Sequence, residues 1–165
     1  MKKFLIIILA SILASCSGGD FIRSRAEHFV RSTYPDVDRI LYYSVDTVTF
    51  RDNMDYRIEQ ANEHLKSAQR LAESFPRPNY LKDVERESAW VRALDSLKAS
   101  TAQEVLDAPA AFQCCVAYNS PTNLVWVQLD PAGNLLNIAK DMAKLYLNPG
   151  DDVPGYFELW KQFNQ

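Results

Sequence analysis

The sequence predicts an α+β protein, in which an antiparallel curved sheet of about four strands packs against an N-terminal helix and an inserted long helical hairpin. Two observations predict this class. Apolar residues between positions 54 and 97 recur every three or four residues, which is the helical period. Apolar residues between positions 112 and 129 recur at every second position, which is the period of strands. A run of helices followed by a run of strands is typical of α+β proteins.

The chain starts with an export signal. Two lysines precede a run of ten residues, 4–13, that is apolar except for Ser11, and small residues follow it. The run is about half the length that a transmembrane helix needs. Residues 1–15 are therefore predicted to be a signal peptide that is removed between Ser15 and Cys16.

The quartet Leu13-Ala14-Ser15-Cys16 resembles the lipobox of bacterial lipoproteins. The resemblance implies that a diacylglyceryl group is attached to the sulfur of Cys16, that a dedicated signal peptidase cuts before this residue, and that palmitate labels it. Two acyl chains are enough for stable anchoring, whereas one is marginal. The alternative is an ordinary secretory signal with an incidental cysteine. The partner that the lipobox implies is membrane lipid, bound through Cys16, in the bacterial cell envelope.

Ser17 follows the lipidated cysteine, whereas an aspartate at this position favours inner-membrane retention in Gram-negative lipoproteins. The resemblance therefore favours the outer membrane over the inner one and leaves open which side the protein faces. Residues 16–20 form the lipidated cysteine and a short tether, and residues 21–165 are predicted to form a single α+β domain. The signal contains two of the 18 basic residues and none of the 21 acidic ones. The mature chain is thus acidic and lacks the basic surface of a nucleic-acid-binding protein.

The mature chain opens with an amphipathic helix over residues 21–34, with Asp20 as its N-cap. Residues 39–50 form a strand whose apolar residues change parity around Asp46, which indicates a bulge or bend. Two helices follow. Their apolar stripes run from Met54 to Phe75 and from Leu81 to Leu97, and a Pro-Arg-Pro-Asn segment separates them.

Three strands complete the sheet. Alternating apolar residues place strands at 112–118 and 125–129, and a turn over 130–134 leads into a third strand at 135–138. Residues 137–147 fit either strand or helix. Phe157, Trp160 and Phe163 then form an aromatic face on a short C-terminal helix.

No motif in the sequence carries recognisable chemistry. His28 and His64 have no metal ligand four residues away, so we predict no metal site and no cofactor. Cys114 and Cys115 lack the spacer of a redox motif. One of them is expected in the core, and the alternative is a reactive thiol at Cys115 or an intermolecular disulfide.

We therefore predict a non-enzymatic lipoprotein that presents a binding or structural surface to another envelope component, for example an envelope protein. The alternative is a small-molecule-binding or hydrolytic domain with a pocket in the concave sheet near Tyr43, Asp46 and Tyr118. The order of elements resembles the cystatin-like or NTF2-like architecture of exported bacterial domains, with the helical hairpin inserted after the first strand.

Overall fold

A computed structural model describes residues 19–140 and 147–164, without the side chains of Tyr42 and Tyr43. The predicted cleavage and lipidation sites, Ser15 and Cys16, lie outside the described residues. So does most of the segment that fits either strand or helix.

The described elements confirm the predicted α+β class, with an open antiparallel sheet. The four strands are ordered β1-β2-β3-β4 in this sheet. The elements in chain order are α1 (19–33), β1 (Ile40–Thr49), α2 (Phe50–Ser74), α3 (Pro78–Ser100), α4 (Gln103–Leu106), β2 (Pro109–Tyr118), β3 (Leu124–Leu129), β4 (Leu135–Ala139), a 3-10 helix (Pro149–Asp151) and α5 (Tyr156–Phe163).

The residues form two compact units. Of the described residues, the sheet unit comprises 19–48 and 111–140, and the helical unit comprises 49–110 and 147–164. The prediction that residues 21–165 make a single domain stays a prediction.

The core of the sheet unit lies between α1 and one face of the sheet. Ile22, Ala26 and Val30 recur at helical spacing on α1 and are buried. They belong to one cluster with the inward-facing residues of β2 and β3, which are Cys114, Val116, Val125, Val127 and Leu129. The register pairs Phe112 with Leu129 and Cys114 with Val127, so the predicted alternation of the two strands is confirmed.

Two predicted boundaries in this part of the chain are wrong. Gly19 and Asp20 are already helical, so Asp20 is not the N-cap of α1 and half of the predicted tether belongs to the helix. Phe50 is not a strand residue, because α2 begins there directly after β1. Thr49 caps α2: its hydroxyl oxygen accepts a hydrogen bond from the Asp52 backbone N–H at 3.2 Å, and the Asp52 carboxylate accepts one from the Thr49 N–H at 2.8 Å. This reciprocal capping box fixes the start of the helix.

The turn between β3 and β4 requires a glycine. Gly133 has a φ of +79°, a conformation that side chains with a Cβ rarely adopt. A Cβ at this position would lie 2.8 Å from the ring of Phe21 on α1. The Gly133 carbonyl oxygen also accepts a hydrogen bond from Arg25 Nε at 2.9 Å. The turn is thus held against α1.

The helical unit is built on the hairpin of α2 and α3, which confirms the predicted pair of helices and the proline break between them. Its core contains the buried side chains of Met54, Ala61, Leu94, Leu106, Val153 and Tyr156. Leu106 comes from the short helix α4, which the sequence analysis did not predict. The apolar stripes of the hairpin become exposed near the connecting turn, where Leu71, Phe75 and Leu81 are 41 to 55% exposed.

Candidate ligand-binding cavity of the helical unit

The predicted sheet pocket is described at two of its three residues, Asp46 and Tyr118. The side chain of Tyr43 lies outside the description. Asp46 is exposed and its carboxylate accepts a hydrogen bond from Ser44 Oγ at 2.9 Å. Tyr118 stacks on Tyr34, with the ring centroids 5.0 Å apart. Neither Asp46 nor Tyr118 lines the two cavities described below, and the sheet pocket stays a prediction.

A cavity of about 590 Å³ lies among three helices of the helical unit. This volume falls in the range of about 300–1,000 Å³ that is typical of small-molecule sites. The lining residues recur at helical spacing on each helix, so each helix contributes one face. They are Tyr56, Arg57, Gln60, Ala61 and His64 of α2, Arg86, Glu87 and Trp90 of α3, and Tyr156, Trp160, Phe163 and Asn164 of α5 and its C-cap. We call this space the helical cavity.

Several aromatic rings take part in the wall of the helical cavity, whose lining surface is more polar than apolar. Trp90 lies centrally, with its ring centroid 5.0 Å from that of Phe163 and 6.1 Å from that of Tyr156. Trp160 stacks on the exposed Phe157 at 6.3 Å. Tyr156 is buried, whereas the rings of Trp90, Trp160 and Phe163 are only half-buried. The helical cavity therefore offers apolar ring surface to an occupant.

Polar groups without protein partners share this wall. Gln60 is half-buried and His64 is exposed, and neither side chain hydrogen-bonds to another described residue. The indole N–H groups of Trp90 and Trp160 also have no acceptor among the described residues. An amide offers two donors and an acceptor, and an indole offers one donor. The helical cavity can thus make hydrogen bonds as well as apolar contacts.

A buried ion pair supports one side of the cavity. Arg57 Nε lies 3.0 Å from Asp152 Oδ2, and their side chains are 9% and 0% exposed. The same carboxylate oxygen accepts a hydrogen bond from Asn53 Nδ2 at 2.6 Å. Arg57 also donates to the Leu147 carbonyl oxygen, and its guanidinium lies 4.6 Å from the centroid of the Tyr156 ring. These contacts fix the 3-10 segment and the start of α5 against α2.

The ionisation of Asp152 reflects two opposing influences. Burial raises the pKa of this carboxyl above its ordinary value. The Val153 backbone N–H, Arg57 and Asn53 lower it in part, but burial prevails. Three partners and near-complete burial indicate that Asp152 acts as a structural anchor, since its Oδ1 and Oδ2 both accept bonds from within the unit.

The remaining charges of the cavity are paired. Arg86 Nη2 donates to Glu87 Oε1 at 2.9 Å and lies 3.6 Å from Asp83 Oδ1. The hydrogen bond to Glu87 raises the pKa of the Arg86 guanidinium, so this group keeps its charge. Each arginine of the wall therefore has a carboxylate beside it.

A second cavity of about 290 Å³ adjoins the first along the hairpin. Both are lined by His64, Arg86 and Glu87, and the second continues toward the hairpin turn past Ala68 and Tyr80. The two cavities thus share part of their wall and are neighbours along the hairpin of α2 and α3.

Both cysteines of the sheet unit are free and buried, with exposures of 0% for Cys114 and 6% for Cys115. Burial raises the pKa of the Cys114 thiol to about 11 and also raises that of Cys115. A thiol that is buried and protonated is a poor nucleophile. One core cysteine was expected and both are buried, and the burial of Cys115 argues against a reactive thiol there. Among the residues described, no three His, Cys, Asp or Glu side chains are placed to hold a metal ion.

Sequence reasoning found the aromatic face of α5 but not the cavity. Arg57 and Asp152 are 95 positions apart, and the spacing of either residue gives no sign of the other. The sequence around His64 holds no metal ligand four residues away. It gives no sign that His64 lines a cavity.

No helix in the described part of the chain is long and apolar enough to cross a membrane. No protein-family model matches the chain, and searches of curated proteins and of solved structures found no significant match either.

Proposed function

We propose that this protein is a bacterial envelope lipoprotein, held to the membrane by lipid on Cys16, whose folded part is a non-enzymatic binding module. The observation that carries the binding role is the helical cavity, about 590 Å³ in volume and walled by half-buried aromatic rings. The lipobox Leu13-Ala14-Ser15-Cys16 supports the anchor.

The chemistry of the helical cavity favours binding over catalysis. Its one buried carboxylate neighbour, Asp152, is engaged by Asn53, Arg57 and Val153. Glu87 is engaged by Arg86. A general acid or base needs a carboxyl or imidazole held within reach of a substrate proton. These carboxylates are instead committed to partners within the unit, and the imidazole of His64 is exposed, with no hydrogen bond to a described residue that would hold it in position.

The anchor is tested by labelling cells with radioactive palmitate and separating membranes from soluble protein. Cys16→Ala should abolish the label and release the protein, because no acyl chain can then attach. Cys114→Ala and Cys115→Ala are matched controls, since both thiols are buried and should leave the label unchanged. Undiminished labelling of Cys16→Ala contradicts the proposal.

The outer membrane is proposed on the identity of Ser17. In a Gram-negative host, Ser17→Asp should move the protein from the outer-membrane to the inner-membrane fraction on a density gradient. Ser17→Ala is the control and should stay in the outer membrane. Inner-membrane location of the unchanged protein would overturn this part of the proposal.

A further inference from the structure

The helical cavity has little net charge to offer a ligand. Arg57 is neutralised by Asp152, and Arg86 lies between Asp83 and Glu87. An anionic ligand would meet carboxylates beside both arginines, and a cationic one would meet the arginines themselves. Charge complementarity therefore favours an uncharged ligand.

The same wall alternates ring faces with hydrogen-bonding groups. Trp90, Trp160 and Phe163 supply half-buried rings, while Gln60 and His64 supply donors and acceptors that no described residue uses. A purely apolar ligand would leave those polar groups unsatisfied, which is unfavourable once water is excluded. A pyranose ring has a C–H face for an aromatic ring and hydroxyl groups at its edge for amides and imidazoles.

From these features we infer that the helical cavity binds an uncharged oligosaccharide. The inference rests on the proposed function, since it specifies the ligand of the proposed envelope binding module. The second cavity shares His64, Arg86 and Glu87 with the helical cavity. A ligand that occupied both cavities would extend along the hairpin. A linear chain of several sugar rings fits this shape better than a single sugar.

The test uses the full-length mature lipoprotein in a detergent without a sugar headgroup. Two probes are titrated, a β-1,4-linked N-acetylglucosamine tetramer and maltotetraose, with binding measured by calorimetry and by tryptophan fluorescence. They distinguish acetamido-bearing from plain sugar chains. We expect at least one tetramer to bind about tenfold or more tightly than its monomer, because only the tetramer spans both cavities. Tetraethylene glycol, which has oxygens but no ring faces, should not bind.

Variants link binding to the helical cavity. Trp160→Ala and Gln60→Ala should each weaken tetramer binding by about tenfold or more. Trp126→Phe, which changes a tryptophan of β3, and Gln69→Ala, which changes an exposed glutamine of α2, should not alter it. Circular dichroism shows whether each variant is folded. If Trp160→Ala does not fold, the comparison of Gln60→Ala with Gln69→Ala is the test.

Lack of binding by both tetramers, or equal affinity in the Gln60→Ala and Gln69→Ala variants, overturns the inference. Binding of short peptides in place of sugars also overturns it. These outcomes leave the anchor untouched, because membrane release and loss of palmitate label in Cys16→Ala do not depend on the ligand. Conversely, an unaltered palmitate label in Cys16→Ala contradicts the proposed lipid anchor and has no bearing on the result of the sugar titrations.

Discussion

The two units of the molecule handle buried polar groups differently. In the sheet unit the cluster beneath α1 is built from apolar side chains and the thiol of Cys114, and the buried amide of Gln128 on β3 has no hydrogen-bond partner among the described residues. In the helical unit the core cluster adjoins a buried ion pair, Arg57–Asp152, and the arginine of this pair lines the helical cavity. Buried charges are costly unless they are paired, so they are kept where they position something. The contrast agrees with a ligand site in the helical unit, as proposed above.

The largest expected effect is the loss of the buried ion pair. Asp152→Ala leaves Arg57 charged and buried, and should lower the free energy of unfolding by about 3–5 kcal/mol in urea denaturation. Glu63→Ala removes an exposed partner of Lys66 on the same unit and should cost less than about 1 kcal/mol. A cost below about 1 kcal/mol for Asp152→Ala would mean that the pair is not what holds the start of α5.

A large cost is also expected in the apolar core of the sheet unit. Leu129 is fully buried, and Leu129→Ala should lower the free energy of unfolding by about 2–5 kcal/mol, because it leaves a cavity beneath α1. Leu135 on β4 is 37% exposed, and Leu135→Ala should cost clearly less in the same assay. Equal costs for the two substitutions would show that the core assignment is wrong.

The β3–β4 turn gives an intermediate effect. Gly133→Ala should destabilise the protein by about 1–3 kcal/mol, since the new Cβ meets Phe21 and the positive φ is strained. Gly150 has no atom near its Cβ position and an ordinary φ, so Gly150→Ala should be close to neutral. Thermal unfolding of both variants is the measurement. A neutral Gly133→Ala would contradict the described approach of the turn to α1.

The smallest effect is confined to alkaline pH. The raised pKa of Cys114, about 11 against an ordinary 9.0, means that the native state binds this proton more tightly than the unfolded state does. The resulting stabilisation is fully present below pH 9.0 and is lost as the pH rises toward 11. Wild-type stability should therefore fall more steeply over this window than that of Cys114→Ala. Parallel curves would show that the thiol is not desolvated.

The sequence predicted the strands of the sheet unit and the helical hairpin, but it did not predict the helical cavity. The meander and its facing pairs, such as Cys114 with Val127, followed from a period of two, and the hairpin followed from a helical stripe ended by prolines. Both patterns are local. The helical cavity depends on α5 meeting α2 and α3, and on Arg57 meeting Asp152, which no local period encodes. The exposure of the hairpin near its turn was also not predicted. An apolar stripe on a helix does not show how far along the helix other elements pack against it.

The central claim, that the ligand site lies in the helical unit, is tested most directly by a backbone amide NMR titration of the mature protein with the oligosaccharide that binds. A site in the helical unit predicts chemical-shift changes that concentrate at Gln60, His64, Glu87 and Trp160. Changes concentrated instead around Asp46 and Tyr118, in the strands of the sheet unit, would contradict it and place the site in the sheet.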